Sequence, residues 1–357
     1  MLRWLSELTD NDGAIVGPKI ARLGMLRAAG FEVPDGFAVT AAAFARFLSI
    51  NDLACRVERE LEAATEDLVA IEATSARIRN LIEQAPMENE LEAALRDGYD
   101  ELCLRHGHIG LPVAVRSSAT GEDAATASFA GQYESYLGIT GADAVMAAVR
   151  KAWGSLFVGR ALVYRLRHGQ RYRDTLMGVG VLRLVQSRCA GVAFSAHPVS
   201  KKRDRFVIEA SWGWGESVVQ GTVEPDSVEV DRIDGRILSY RIGDKRVASL
   251  LDPTHGGITE QPMPARFRHA QCLTPEMIHA LWKAIVEIER RFGKPVDIEW
   301  VIEPTWRPGV PISIVQVRPI TTLGEAADVP PAAKWDALNY AAKYGLGIKS
   351  KPSVAPQ

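Results

Sequence analysis

Three short stretches carry side chains suited to phosphate and metal chemistry. In "VAVRSSATGEDAATASFAGQYESYLGI" (Val113 to Ile139), an apolar run from Leu111 to Val115 stops at Arg116. The loop-like residues Ser117, Ser118, Ala119, Thr120 and Gly121 follow, with Gly131 and Gln132 further on. A guanidinium is planar, permanently charged and pairs bidentately with phosphate oxygens. Hydroxyls and small residues after it leave backbone N–H groups open to form an anion-binding nest. In "VGPKIARLG", Lys19 follows a glycine turn and opens a helix, whose N-terminal field adds to the charge of the lysine. In "VDIEWVI" and "SIVQVRPIT", Glu299 lies on one expected strand, Gln316 on the next and Arg318 on the same face as Gln316. A carboxylate and a carboxamide are hard oxygen ligands suited to Mg²⁺, which keeps waters and substrate phosphates in its other positions. Each stretch also has a plainer reading: a solvated arginine after an edge strand, a solvated lysine, a cross-strand hydrogen bond beside a salt bridge. Residue types alone leave both open, because none is a Walker A loop or a Rossmann fingerprint.

The elements that must position these residues are legible in outline. Residues 1–50 read as a glycine-marked turn, a helix, the short strand "GFAVT" and another helix. Residues 51–107 form a helical insert, with Leu91, Leu95, Tyr99 and Leu102 in one apolar stripe. From 111 to 200 strand and helix alternate, with one helical piece over "GADAVMAAVRKAWGSLFVGRALVYRLRHG" between strands near 132–138 and 178–185. From 203 to 322 strands dominate, and Asp234-Gly235 signals a hairpin. One helix interrupts them, capped by Thr274, opened by Pro275, stopped by Gly293, with Ile278, Leu281, Ile285, Ile288 and Phe292 as its core face. Glycines at 213, 215 and 221 around Glu216, with Trp212 and Trp214, suggest a shaped wall, and His197 before a proline reads as structural. The expected architecture is an α+β fold of two lobes, 1–190 and 191–322, with a ligand cleft between them and a tail or linker over 323–357.

The totals exclude other classes. Lys and Arg number 42 against 44 Asp and Glu, a net charge of -2 that argues against a nucleic-acid partner. The four cysteines have no CxxC pair, so neither a zinc ribbon nor a disulfide framework is expected. The N-terminal stretch "MLRWLSELTD" lacks the apolar core of a signal peptide and no apolar run approaches the roughly 18 residues of a membrane span, so a soluble, cytoplasmic protein is expected.

Six motifs in order, "VGPKIARLG", "VAVRSSATGEDAATASFAGQYESYL", "GVAFSAHP", "GWGESVVQGTVEPD", "DIEW" and "VQVRPIT", resemble the N-terminal nucleotide-binding domain of the phosphoenolpyruvate synthase and pyruvate phosphate dikinase family. The resemblance runs from about residue 12 to 322 and implies an ATP-grasp fold binding ATP with Mg²⁺ or Mn²⁺. It implies that Lys19 and Arg116 hold the ATP phosphates, together with Ser117, Thr120, Gly121, Gly131 and Gln132, and that the loop from Thr120 to Gly131 covers them. Glu299 and Gln316 would ligate the metal, and Arg318 would neutralise charge on the transferred group. Departures from the family pattern are Pro18 for a glycine, Leu182 and Leu184 for the Gln and Met of the adenine hinge, Ser195 for threonine, and Trp214 for a small residue.

Members of this family continue into a swivelling domain whose histidine accepts phosphate, and no such motif occurs in this sequence. The expectation is therefore a split phosphotransferase. The histidine would lie on a separate partner subunit, which would also bind the small-molecule acceptor. In that form the chain is similar to the ATP-binding subunit of the phenylphosphate synthases, which convert phenol, ATP and water to phenylphosphate, AMP and phosphate. The alternatives are a split phosphoenolpyruvate synthase or other small-molecule dikinase, or a subunit that senses ATP without turnover.

Overall fold

The structure, a computed structural model, describes residues 1–62, 67–121, 133–168, 175–198, 200–252 and 257–320. Two sheets organise it. The first has five strands, β1 (Leu2–Trp4), β2 (Gly36–Val39), β3 (Val113–Ala119), β4 (Ser135–Ile139) and β5 (Met177–Arg183), in the order β1-β2-β5-β3-β4. The chain then forms β6 (Cys189–Phe194), β7 (Arg205–Trp212), β8 (Asp226–Asp231), β9 (Ile237–Arg241), β10 (Val247–Leu251), β11 (Ile258–Pro262), β12 (Val296–Ile302) and β13 (Ser313–Pro319). Six of these make the second sheet, β13-β12-β6-β7-β8-β9, antiparallel throughout, and β10 pairs with β11 as a separate hairpin.

After β1 and two 3-10 turns come the helices α1 (Gly13–Val16) and α2 (Pro18–Ala28), and α3 is Ala41–Ile50. The expected insert is helical: α4 (Leu53–Glu62), α5 (Leu68–Gln84) and α6 (Asn89–Arg105). Leu91, Leu95, Tyr99 and Leu102 are all buried, as their spacing requires, and the Tyr99 hydroxyl donates to Leu111 O at 2.9 Å. The single helix expected after β4 is two, α7 (Ala142–Gly154) and α8 (Gly159–His168), separated by a 3-10 turn at Ser155–Phe157. That break lets Trp153, Leu156 and Phe157 all enter the first core, where Trp153 stacks on Phe44.

In the second lobe α9 (Glu216–Val219) and α10 (Ala265–Arg268) are single turns, and α11 (Pro275–Phe292) is the long helix. Its ends follow the expectation: the Thr274 side chain accepts from Met277 N, and Gly293 closes it in the left-handed region at φ 62°. Ile278, Leu281, Ile285 and Ile288 pack with Val296, Ile298, Trp300 and Val317 of the sheet. The Asp234-Gly235 turn joins β8 to β9, and a Cβ on Gly235 would strike the Trp282 ring at 2.8 Å.

One correction concerns β3. The strand does not end at Arg116 but runs on to Ala119, pairing Arg116 with Gly180, Ser117 with Val179 and Ser118 with Gly178. Glycines on the partner strand leave room for the chain to lie on this sheet: a Cβ on Gly178 would sit 2.3 Å from Val16 O, and one on Gly180 2.4 Å from the Ile20 side chain. The hydroxyls that make this stretch read as a loop find partners on other segments, Ser117 at Glu134 O and Ser118 at Ile20 N, so the ladder continues.

The lobes meet at several points. Ile20, Leu23 and Leu26 of α2 share a core with the second sheet, and Ile314 N of β13 donates to Glu32 O at 2.8 Å. At another contact, Gly257 N donates to Gly138 O at 3.3 Å.

Candidate nucleotide and metal site

Period-two geometry decides what β3 presents. Arg116 and Ser118 share the face that carries α2, whereas Val113, Val115 and Ser117 turn to the first core. Arg116 reaches across to the second sheet, donating to Glu299 Oε2 at 2.7 Å, Val315 O at 2.6 Å and Gln316 Oε1 at 3.4 Å. Glu299 and Gln316 are direct partners on β12 and β13, and the Gln316 amide donates to Glu299 Oε1. Two residues along, Arg318 pairs with Asp297 at 2.7 Å, again directly across the two strands. Side chains from 116, 299, 316 and 318, distant in sequence and drawn from both sheets, therefore converge. A break in register between Glu299 and Trp300 gives β13 one extra residue, so Ile314 can face the core while Gln316 stays on the opposite face beside Glu299.

Electrostatics extend the group. Burial pushes the Glu299 carboxyl up, but the charges of Arg116, Arg318 and Lys19 outweigh it and hold it below the usual range. Lys19 thus lies within the field of this carboxylate. Burial pushes the Asp297 carboxyl up, opposed by Arg318. The Glu216 carboxyl is also pushed up, first by burial and then by Glu260 and Glu299, against the pull of Arg116. Glu216 and Asp297 are charged neighbours that sequence reasoning did not assign to the site. Glu216 sat within a quoted motif, and the alternation that placed Arg318 beside Gln316 would equally have placed Asp297 beside Glu299.

Other expected residues are placed differently. Ser117 is buried on the far face of β3, and its hydroxyl donates to Glu134 O at 2.8 Å, so it does not join Arg116. The Thr120 hydroxyl is engaged with Leu176, accepting from its N–H at 3.1 Å. Gly121 lies beside Thr175. Leu182 is 2 % exposed and packs in the second core. Gly131 and Gln132, with most of the loop expected to cover the phosphates, lie outside the described residues.

Just beyond Glu299 the surroundings turn apolar, with Val185, Ala190 and Val301 in one small cluster and Val315 packed on it. The turn at Gly213–Gly215 borders it: Trp214 Nε1 donates to Val185 O at 2.8 Å and Ser187 Oγ to Gly213 O at 2.6 Å. Gly213 must be glycine, since its φ is 73° and a Cβ would sit 2.1 Å from Ser249 O. His197 Nδ1 accepts from Ser200 N at 3.2 Å. The four cysteines are unpaired with one another, three of them buried.

The donor set can be tested against a divalent cation. Glu299 and Gln316 supply two hard oxygens side by side. Among the described residues no group of three or more His, Cys, Asp or Glu forms a ready-made metal cage. Two protein oxygens with the rest of the shell left to phosphate and water is what Mg²⁺ accepts, so the residues fit. Among the described residues no helix is long and apolar enough to cross a membrane.

A family model for the pyruvate phosphate dikinase AMP/ATP-binding domain matches residues 13–336. The probable phosphoenolpyruvate synthase of Archaeoglobus fulgidus is 40% identical over 321 residues, covering 90% of this chain and 41% of its own. That of Methanocaldococcus jannaschii is 37% identical, covering 99% of this chain and 29% of its own. The phosphoenolpyruvate synthase of Pyrococcus furiosus is 34% identical, covering 97% and 46% respectively. The chain thus spans less than half the length of these relatives. Fold and match together define an α+β, ATP-grasp-type nucleotide-binding domain. The chain belongs to the pyruvate phosphate dikinase AMP/ATP-binding family.

Proposed function

We propose that this chain binds ATP between its lobes and serves as the nucleotide half of a phosphoenolpyruvate synthase-type dikinase. It would present the β-phosphoryl group to a histidine on a swivelling domain, with water consumed and AMP and phosphate released. The convergence of Arg116 with Glu299 and Gln316 across the two sheets carries this reading. Arg116, Lys19 and Arg318 supply fixed positive charge where the triphosphate would lie, and phosphoryl transfer depends mainly on positioning and charge neutralisation. The apolar cluster around Val185 and Val301 would receive the base. Glu299 and Gln316 would hold Mg²⁺ or Mn²⁺, which when bound supplies neutralisation of phosphate charge. Before ATP arrives, Arg116 occupies the Glu299 carboxylate, so binding exchanges one charge-assisted contact for others.

The histidine and the final acceptor would be supplied by a partner subunit or a further domain. Of the acceptors weighed from the sequence, the matched relatives are named for phosphoenolpyruvate synthesis, which favours that chemistry over phenylphosphate formation. The test is incubation with ATP labelled at the β-phosphate, with and without a swivelling-domain histidine protein, then with pyruvate or phenol. Label on the histidine, with AMP formed only when both proteins are present and passed on to pyruvate, is the expected result. Transfer to phenol instead would reassign the acceptor. ATP bound without AMP under any condition would leave a nucleotide sensor.

A further inference from the structure

The first turn of α2 lacks the usual means of holding its own N-terminus. Its N-cap is Gly17, which has no side chain to accept from the first-turn N–H groups, and Pro18 at the next position has no N–H. The first intrahelical bond runs from Ala21 N to Gly17 O at 3.1 Å, which leaves the N–H of Ile20 to find a partner elsewhere. It finds one 98 residues away in sequence, donating to Ser118 Oγ at 3.4 Å. Ser118 is completely buried, two residues after Arg116 on the same face of β3. The approach is so close that a Cβ on Gly17 would lie 2.1 Å from Ser118 O and 2.2 Å from Ser118 Oγ, and the φ of Gly17 is 78°. Gly17 and Ser118 therefore form a remote cap: the hydroxyl missing from the N-cap is supplied by the strand that carries Arg116. Lys19 stands between the two glycine-and-hydroxyl contacts, at the second position of the helix.

We propose that Ser118 is a positioning residue, which fixes the N-terminus of α2 on β3 and thereby sets Lys19 in register with Arg116 over the phosphate site. Ser118 acts through Lys19 and touches no nucleotide itself. The inference rests on the reading that Lys19 meets the ATP phosphates beyond the first. Losing the cap leaves the buried Ile20 N–H without its acceptor and releases the first turn, so the lysine is presented less well. The loss should fall on nucleotides whose outer phosphates Lys19 reaches and spare AMP.

The test is calorimetric titration of ATP and AMP into the full chain, comparing wild type, Ser118→Ala, Lys19→Ala and the double variant. Ser118→Ala should weaken ATP binding about fivefold, the scale of a typical lost cap, with AMP changed less than about twofold. In the Lys19→Ala background the same substitution should change ATP binding by less than about twofold, since the two act as a unit. Equal losses for ATP and AMP, or an undiminished effect without Lys19, would overturn the assignment and leave Ser118 a packing residue. A wild type that binds neither nucleotide would instead overturn the nucleotide reading, and this inference with it. Ser118→Cys keeps the volume while weakening the acceptor, and gives the same readout should the alanine variant unfold.

Discussion

Two acid–base pairs held away from bulk water, Lys245–Asp226 and Arg116–Glu299, differ in their surroundings. Lys245 and Asp226 have no exposed side-chain surface at all. Asp226 also accepts from Tyr240 Oη at 2.8 Å, Gly243 N at 3.1 Å and Cys272 N at 2.8 Å, so its carboxylate is saturated by protein donors. Glu299 and Arg116 keep 18% and 16% of their side-chain surface, and the pair spans the two sheets. The first pair ties loops around β8 together, and its carboxylate is already filled by four protein donors. The second leaves Glu299 with hydrogen bonds from Arg116 and Gln316, and under the proposed function an incoming phosphate would take the guanidinium and a cation the carboxylate. A polar cluster is exchangeable when its hydrogen-bond capacity is incompletely filled by the fold.

The largest test of this contrast is Asp226→Ala. It strands a buried ammonium with only Gly243 O at 3.2 Å for company. A loss of about 3–5 kcal/mol of folding stability is expected from denaturant unfolding, with or without nucleotide. A loss below about 1 kcal/mol would show that the sealed pair is not structural.

Arg116→Met should do the opposite. Lys19 and Arg318 remain near Glu299, so the ligand-free fold should lose no more than about 1 kcal/mol, while ATP binding weakens at least about tenfold. Equal damage to both properties would erase the distinction between the two pairs.

The smallest effect belongs to His197, half-buried in the second lobe and lowered from its usual range first by burial. A histidine whose folded pKa is depressed contributes stability that is present above its unfolded value and is lost as pH falls through the folded one. His197→Asn, which keeps an acceptor for Ser200 N–H, should flatten the decline in unfolding midpoint between about pH 7 and pH 5. An unchanged profile would assign that decline to other groups.

How much of this was legible in the sequence depends on the range of the interaction. The cap and stop of α11, the Asp-Gly hairpin and the apolar stripe of α6 are set by neighbours within a few residues, and each reads directly. The pairing of Glu299 with Gln316 was also readable, since alternation on adjacent strands fixes it once the strands are found. The extension of β3 through Ser117 and Ser118 was not. Hydroxyls and alanine resemble a loop until the partner strand supplies Gly178 and Gly180 to make room. One consequence is that Ser117 faces the first core rather than the site, while Ser118 meets α2. Leu182 is a second case, placed by family position at the base but by packing in the core. The charges of Asp297 and Glu216 joined the site only when the folded arrangement set them against Arg318 and Arg116.

The central claim is that Arg116, Glu299 and Gln316 form an exchangeable site for a metal-bound triphosphate. Its most direct test is calorimetric titration of ATP, with and without Mg²⁺, into the wild type and Glu299→Ala. Wild type should bind ATP more tightly with Mg²⁺, and Glu299→Ala should lose that metal-dependent gain while remaining folded. Equal metal dependence in both proteins, or none in the wild type, would contradict the claim.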